Sequence, residues 1–339
     1  MDIKGTCPHI KERAKCSMPK TDVVAGIDIG GTNSVFGFVD KDGNSVKESS
    51  VPTNSREPAE NLIGRLHENI EETFEPLKPD YNLIGIGIGA PNANYYKGTV
   101  EYPPNLKWGV VKVLDIFKKY YDLPSAITND ANAAAIGEMQ FGAAKGMKDF
   151  IVITLGTGLG SGIVVNGQLV YGADGFAGEI GHTIYERNGR ACGCGRCGCL
   201  ETYASASGIR RTVFELLYKT NEESELRSVS FNDLDSKMIY EAALRGDSVA
   251  KQAFEFTGMA LGTTLADSVA YTSPEAIILF GGLAAAGKLI FEPTKRYMEE
   301  KLLNIFKNKV KIIPSGLPEG NSAVLGAGAL IWNEIEKHN

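Results

Sequence analysis

The stretch Val23–Asp40, VVAGIDIGGTNSVFGFVD, sets the architecture. An apolar, β-branched run ends in glycine, the pattern of a buried strand. Gly30 and Gly31 then permit a tight turn. An alternating segment follows, breaks at Asp40–Asn44 (DKDGN), and alternates again, which predicts a hairpin turned at Asp-Gly. The pattern restarts at Phe150: FIVITLGTGLGSGIVVNGQLV reads as strand, glycine turn, strand, Asn-Gly turn and strand. Two units that each begin strand–glycine turn–strand predict a duplicated α/β module with a ligand cleft between the halves. In α/β sheets, ligands bind where strand C-termini run into glycines.

The intervening segments fit that reading. PAENLIGRLHENIEETF carries helical spacing after a Pro start, and LIGIGIGAP (83–91) reads as a further buried strand. SAITNDANAAAIGEMQFGAA predicts a strand, a polar turn and an Ala-rich helix. The region from Ser205 to Thr272 is mostly helical in pattern. EAIILFGG predicts a strand ending in Gly281 and Gly282. KLIFEPTKRYMEEKLLNIF, VKIIPS and NSAVLGAGALIWNEIEK predict helix, short strand and closing helix.

Bulk properties narrow the function classes. The 339 residues are too many for one small core, and 43% hydrophobic with 22% charged residues suit a soluble globular protein. A net charge of −6 argues against nucleic acid as the main partner. No run approaches the roughly 20 apolar residues of a membrane span. Residues 1–21, with Cys7 and Cys16, read as a tail without the apolar centre of a secretory signal. The expected setting is the cytoplasm, where disulfides are disfavoured.

That setting bears on ACGCGRCGCLE, Ala191–Glu201, which packs four of the six cysteines into Cys192–Cys199. Disulfide, redox Cys-x-x-Cys (Cys194/Cys197) and metal site are all open from composition. A cytosolic chain favours metal or redox chemistry, and the redox pair lacks a thioredoxin-like setting. Cys192, Cys194, Cys197 and Cys199 could form a Cys₄ zinc site, and His182 offers a fifth candidate ligand. Three more features bear on chemistry. Asp28 ends an apolar strand, where a carboxylate needs a partner. It either caps the hairpin turn or faces a Mg²⁺ carrying nucleotide phosphates, through waters. Asn129 and Asp130 lie at a strand end before a helix, where either could serve as N-cap. Thr157, with its flanking glycines in TLGTGLGSG (154–162), forms a second candidate phosphate turn.

These motifs together resemble the sugar kinase, actin and heat-shock chaperone superfamily. The sequence EIGH (179–182) followed by CGCGRCGCLE narrows the resemblance to the ROK family (repressors, open reading frames, sugar kinases), and within it to the bacterial glucokinases. It runs from about Val23 to the C-terminus. It implies two duplicated actin-like (ribonuclease H-like) α/β domains: residues 22–129 with the C-terminal helix 321–339, and a larger domain, 130–320, carrying the zinc loop. It implies ATP-dependent phosphorylation of a hexose, with Mg²⁺ accompanying ATP. Asp28, Gly30, Gly31 and Thr32, with Gly156, Thr157, Gly158, Gly160, Gly281 and Gly282, would hold the nucleotide. Asp130 would be the general base, and Asn105, Asn129, Glu179, His182 and Glu201 would join it around the sugar. His182, Cys192, Cys194 and Cys199 match the family's structural zinc ligands, leaving Cys197 as a bystander.

Glucose is the expected substrate. N-acetylmannosamine, N-acetylglucosamine, mannose and fructose are alternatives, because the segment NANYYKG departs from the glucokinase pattern. A sugar-responsive regulator is the remaining alternative, but the residues before the first strand are too few for a helix-turn-helix domain. A homodimer or homotetramer is the expected assembly, with no nucleic-acid or membrane partner.

Overall fold

The computed structural model describes residues 19–318 and 322–338; the expectations for Cys7, Cys16 and most of the tail lie outside these residues. The first half contains β1 (Thr21–Ile29), β2 (Asn33–Asp40), β3 (Ser45–Pro52), α1 (Ala59–Phe74) and β4 (Tyr81–Gly89). It continues through β5 (Ala93–Asn94), β6 (Thr99–Glu101), β7 (Val110–Val111), α2 (Val113–Phe117), β8 (Ser125–Thr128) and α3 (Asp130–Gln140). The second half contains β9 (Phe150–Leu155), β10 (Leu159–Val165), β11 (Gln168–Leu169), α4 (Ala206–Lys219), α5 (Ser236–Arg245) and α6 (Ser248–Thr272). It closes with β12 (Ala276–Phe280), α7 (Lys288–Lys301), β13 (Lys311–Pro314) and α8 (Ser322–His338).

The duplication is explicit in the topology. One five-stranded sheet has the order β3-β2-β1-β4-β8 and the other β11-β10-β9-β12-β13. In both, the first three strands form an antiparallel meander and the last two run parallel to the first.

Alternation along the central strands explains how the helices dock. In β4, Ile86 and Ile88 face one side and pack into the core with Ile63, Leu66 and Ile70 of α1. The opposite face is glycine. A β-carbon on Gly26 would lie 2.2 Å from the Val324 carbonyl oxygen, and one on Gly87 only 1.8 Å from that of Ala327. The sheet therefore seats α8 backbone-to-backbone, and glycine is the residue that allows it. The second sheet repeats the device: β-carbons on Gly160 and Gly162 would meet the β-carbons of Ala131 and Ala135 on α3 at 2.9 and 2.6 Å. The two seated helices then cross each other, with Gly326 placed so that a β-carbon would fall 2.6 Å from the Ala133 carbonyl oxygen. Helix α3 is buried on all sides from Ala131 to Glu138, which is why its sequence shows no polar face.

Two expectations need adjustment. The sequence predicts no strand in 92–108, yet this segment contains β5 and β6, which join β7 in a small antiparallel sheet. Positive φ at Asn92 and Gly98 supplies the bends, and the Asn92 amide donates to the carbonyls of Glu101 and Tyr102. The helix expected to reach Phe306 ends at Lys301, because Leu302 turns extended. Among the described residues, no helix is long and apolar enough to cross a membrane.

Candidate active site

The parallel strands of both sheets deliver polar or glycine residues at their C-terminal ends. Strand β1 ends at Asp28–Ile29 before Gly30, and β8 leads through Asn129 into α3 at Asp130. Strand β9 leads into Gly156–Gly158, β12 into Gly281 and Gly282, and β13 into Ser315.

Asn129 settles the N-cap question. Its Oδ1 accepts from the Asn132 amide at 2.7 Å, so Asn129 caps α3 and Asp130 occupies the first helical position. Asp130 Oδ1 accepts from the Ala131 amide at 2.8 Å. Its carboxylate opens to the cleft and is accessible to water, yet the surrounding walls displace most bulk solvent. That desolvation raises its pKa, while backbone N–H groups at the helix start partly offset the rise. Asp28 is half-buried at the end of β1, on the other side of β4 from the strand that leads to Asp130. Burial, and then the Asp130 charge, push Asp28 up to about 6. Two carboxylates thus face a common space.

Glu179 belongs to the same electrostatic group. Desolvation raises its pKa; His182 opposes that rise, while Asp130 and Glu201 add to it. Residues Ile180–His182 form a single 3₁₀ turn, so Glu179 and His182 converge, with Glu179 Oε2 at 4.0 Å from His182 Nε2. The other imidazole nitrogen, Nδ1, lies 3.7 Å from Cys192 Sγ. His182 therefore offers one nitrogen to the cysteines and one to the cleft.

The cysteine loop brings His182, Cys192, Cys194 and Cys199 together, with one ligand atom from each inside a 4.8 Å span. Cys194 Sγ and Cys199 Sγ are 3.6 Å apart. A tetrahedral ion at zinc–sulfur and zinc–nitrogen bond lengths separates its ligands by roughly 3.5–3.8 Å. The spacings and the thiol–imidazole donor set therefore fit zinc. Cys197 is exposed, pairs by its backbone with Ala191, and stands outside the group.

Glu201 leaves the loop and reaches the second glycine turn. Its Oε2 accepts from the Leu159 amide at 3.0 Å, and its Oε1 lies 3.7 Å from Cys192 Sγ. A β-carbon on Gly158 would fall 2.4 Å from Oε2, so a side chain there would displace the Glu201 carboxylate. The Ala206 amide donates to the Gly156 carbonyl at 2.9 Å, and the Ser207 hydroxyl to the Thr157 carbonyl at 2.9 Å. The turn is thus braced from the residues that follow the cysteines. Gly160 lies within β10, where its missing side chain admits α3.

The first turn is held differently. Thr53 donates its hydroxyl to the Gly30 carbonyl and its amide to the Thr32 carbonyl, at 2.8 and 2.9 Å. Asn105 is exposed beside this turn, and a β-carbon on Gly31 would lie 2.9 Å from the Asn105 β-carbon. Glycine here lets the Asn105 segment close on the turn. Gly281 adopts φ 98°, packs on the Leu155 carbonyl, and with Gly282 lines a cavity of about 370 Å³. Leu279, Ala285, Ser315 and Leu317 are among its other walls.

Sequence reasoning passed over Ser207, Thr53, Ser315 and Glu138. Only Glu138 left a signal, as the one charged residue in Ala131–Ala144.

The family model described as the ROK family matches residues 24–334. The chain belongs to the ROK family. It is similar to a glucokinase of Thermotoga maritima, 34% identical over 94% of this chain and 99% of the relative. It is also similar to a xylose repressor of Caldicellulosiruptor bescii, 32% identical over 82% of this chain and 70% of the relative. Among solved structures, the ROK glucokinase of Streptomyces griseus in complex with glucose and AMPPNP aligns with a TM-score of 0.77 and 33% identity, covering 91% of this chain and 98% of that one. The two sheets and their seated helices are the actin-like two-domain α/β fold of the ROK sugar kinases.

Proposed function

We propose that the protein is an ATP-dependent hexose kinase that phosphorylates glucose on its 6-hydroxyl. The observation that carries the reading is the position of Asp130. It stands at the N-terminus of α3, in charge contact with Asp28 on one side and Glu179 on the other. Asp28 belongs to the strand of the first glycine turn, and Glu179 to the wall of His182 and Glu201. A base between a phosphate turn and a hydroxyl-binding wall is what phosphoryl transfer to an alcohol requires.

In this reading Asn105, Asn129, Glu179, His182 and Glu201 orient the sugar. As O6 bonds to the γ-phosphorus, its proton passes to Asp130. The bond from that phosphorus to the bridging oxygen breaks and ADP leaves. The raised pKa of Asp130 suits it as proton acceptor. The glycine turns supply amides to the phosphates, Asp28 would face the Mg²⁺ they carry, and Gly281 and Gly282 admit the nucleoside to the cavity. His182, Cys192, Cys194 and Cys199 would hold a zinc ion that supplies structural rigidity, so that His182 keeps one face to the sugar and Glu201 stays at the loop exit. Residues 22–129 with 321–339 form one domain and 130–320 the other, closing on the cleft in a cytoplasmic homodimer or homotetramer.

The similarity to glucokinases, and to a structure holding glucose and AMPPNP, supports this reading. The similarity to a xylose repressor makes a sugar-binding regulator the second reading. A coupled ADP-release assay over glucose, mannose, fructose, xylose and the N-acetylhexosamines separates them. Glucose-dependent ADP release is expected. Turnover only on an N-acetylhexosamine would reassign the substrate, and binding without turnover on any sugar would favour the regulator.

A further inference from the structure

Glu138 is completely buried, eight positions after Asp130 on α3. Its Oε2 accepts from the Ala143 amide at 2.7 Å and from the Gly316 amide at 3.1 Å. Its Oε1 accepts from the Ser315 hydroxyl. The two loops close on this carboxylate because both carry glycine: a β-carbon on Gly142 would fall 2.1 Å from Oε2, and one on Gly316 2.4 Å from the Ala143 nitrogen. The held segment continues into the nucleotide cavity. The Leu317 amide donates to the Ser315 hydroxyl, the Ser315 amide donates to the Leu279 carbonyl, and all three residues line the cavity beside Gly281 and Gly282.

We propose that Glu138 is a positioning residue for the nucleotide: it pins the Ser315–Leu317 wall to the helix that carries Asp130. The inference rests on the kinase reading above. Helix α3 rises about 1.5 Å per residue, so about 12 Å of rigid rod separates Asp130 from Glu138. A single element thereby sets both the base and the nucleoside wall. The carboxylate suits the task because it accepts from three donors at once, two of them backbone amides that no apolar side chain could satisfy. A glutamine of the same shape can keep its oxygen toward the two amides and donate its NH₂ to the Ser315 hydroxyl, which can accept.

The test is calorimetric titration of the full-length zinc-loaded protein with AMPPNP–Mg²⁺ and, separately, with glucose. Glu138→Ala, Glu138→Gln and Ser315→Ala are compared with wild type. Losing contacts to a buried carboxylate is expected to weaken nucleotide binding about tenfold or more in Glu138→Ala and about threefold in Ser315→Ala. Glucose affinity should stay within about twofold. Glu138→Gln should restore nucleotide affinity to within about threefold of wild type. Unchanged nucleotide affinity in Glu138→Ala and Ser315→Ala, or equal loss of both ligands, overturns the assignment. If Glu138→Ala does not fold, Ser315→Ala and Glu138→Gln decide it by the same criteria. A wild-type protein that binds no nucleotide overturns the kinase reading itself, and is recognised before any variant is compared.

Discussion

Asp28 is costly to the folded protein, and the cost can be measured. Burial and the Asp130 charge move its pKa from 3.8 to about 6. At about 1.4 kcal/mol per pKa unit, ionised Asp28 destabilises the fold by about 3 kcal/mol. The sign follows from proton binding. The folded state holds the proton more tightly than the unfolded chain, so stability is greatest below the unfolded pKa. It is lost as pH rises through the interval from 3.8 to about 6, and is constant above it. Asp28→Asn removes the charge at nearly constant shape. At pH 8 the variant should be more stable than wild type by about 3 kcal/mol, about 4 °C in melting temperature for a chain of this length. At pH 5, where folded Asp28 is already mostly protonated, the gain should shrink to about 1.5 kcal/mol. Turnover should move the other way and fall by about 10²-fold or more, since the carboxylate proposed to face Mg²⁺ is gone. The assay is urea unfolding of the ligand-free protein at pH 5 and pH 8, run beside steady-state kinetics. A variant no more stable than wild type at pH 8, or equally stabilised at both pH values, would refute the picture of a desolvated, charge-strained Asp28.

Asp130→Asn should lower kcat by about 10²–10⁴-fold while glucose binding by calorimetry changes little; a kcat within a few-fold of wild type removes Asp130 from the chemistry. Cys194→Ser should lose zinc, measured by atomic emission, and lower melting temperature and glucose affinity together. Cys197→Ser should keep both the metal and the affinity, and zinc loss in that variant would return Cys197 to the ligand set. Gly31→Ala places a methyl group where Asn105 now sits, so KM should rise for glucose as well as for ATP. Unchanged KM for glucose would show that Asn105 does not reach the sugar. Ser207→Ala removes a brace of the second turn and should raise KM for ATP about two- to fivefold with little change in melting temperature.

The fold was legible because its signals are local. Gly30–Gly31 and Gly156–Gly158 punctuate strands, and Asp-Gly and Asn-Gly turn the hairpins, so the succession of the main strands and helices in each half could be read off the chain. The thiol–imidazole group, which could hold a metal ion, was legible through spacing and resemblance together. Four cysteines in Cys192–Cys199 left a Cys₄ set open, and only the family pattern singled out His182 and set Cys197 aside. The bracing of the site was not legible. Thr53 meets Gly30, Ser207 meets Thr157 and Glu138 meets Gly316 at sequence separations of 23, 50 and 178 residues. Nothing in the composition of a hydroxyl or a carboxylate says which distant carbonyl or amide it will find. The roles of Gly26, Gly87, Gly160 and Gly162 were hidden for the same reason: a glycine in a strand reports a close approach but not the partner.

Those hidden contacts explain how the cleft tolerates its own electrostatics. Asp28, Asp130 and Glu179 are desolvated acids, and the Asp130 charge adds to the rise in the other two; a soft scaffold would relax by separating them. Here the scaffold has little freedom to do so. The two helices that cross at the centre of the molecule are seated on glycine faces at backbone contact distance. Asp130 therefore cannot retreat without moving α3 against β10, and α3 cannot slide without tearing Glu138 from the Ser315–Leu317 wall. Strain at the acids is held in place by packing and buried hydrogen bonds elsewhere. Neutralising an acid should thus stabilise the protein and silence it, whereas loosening the frame should destabilise it and blunt ligand binding. Asp28→Asn and Glu138→Ala are predicted to differ in that way, with opposite signs in stability.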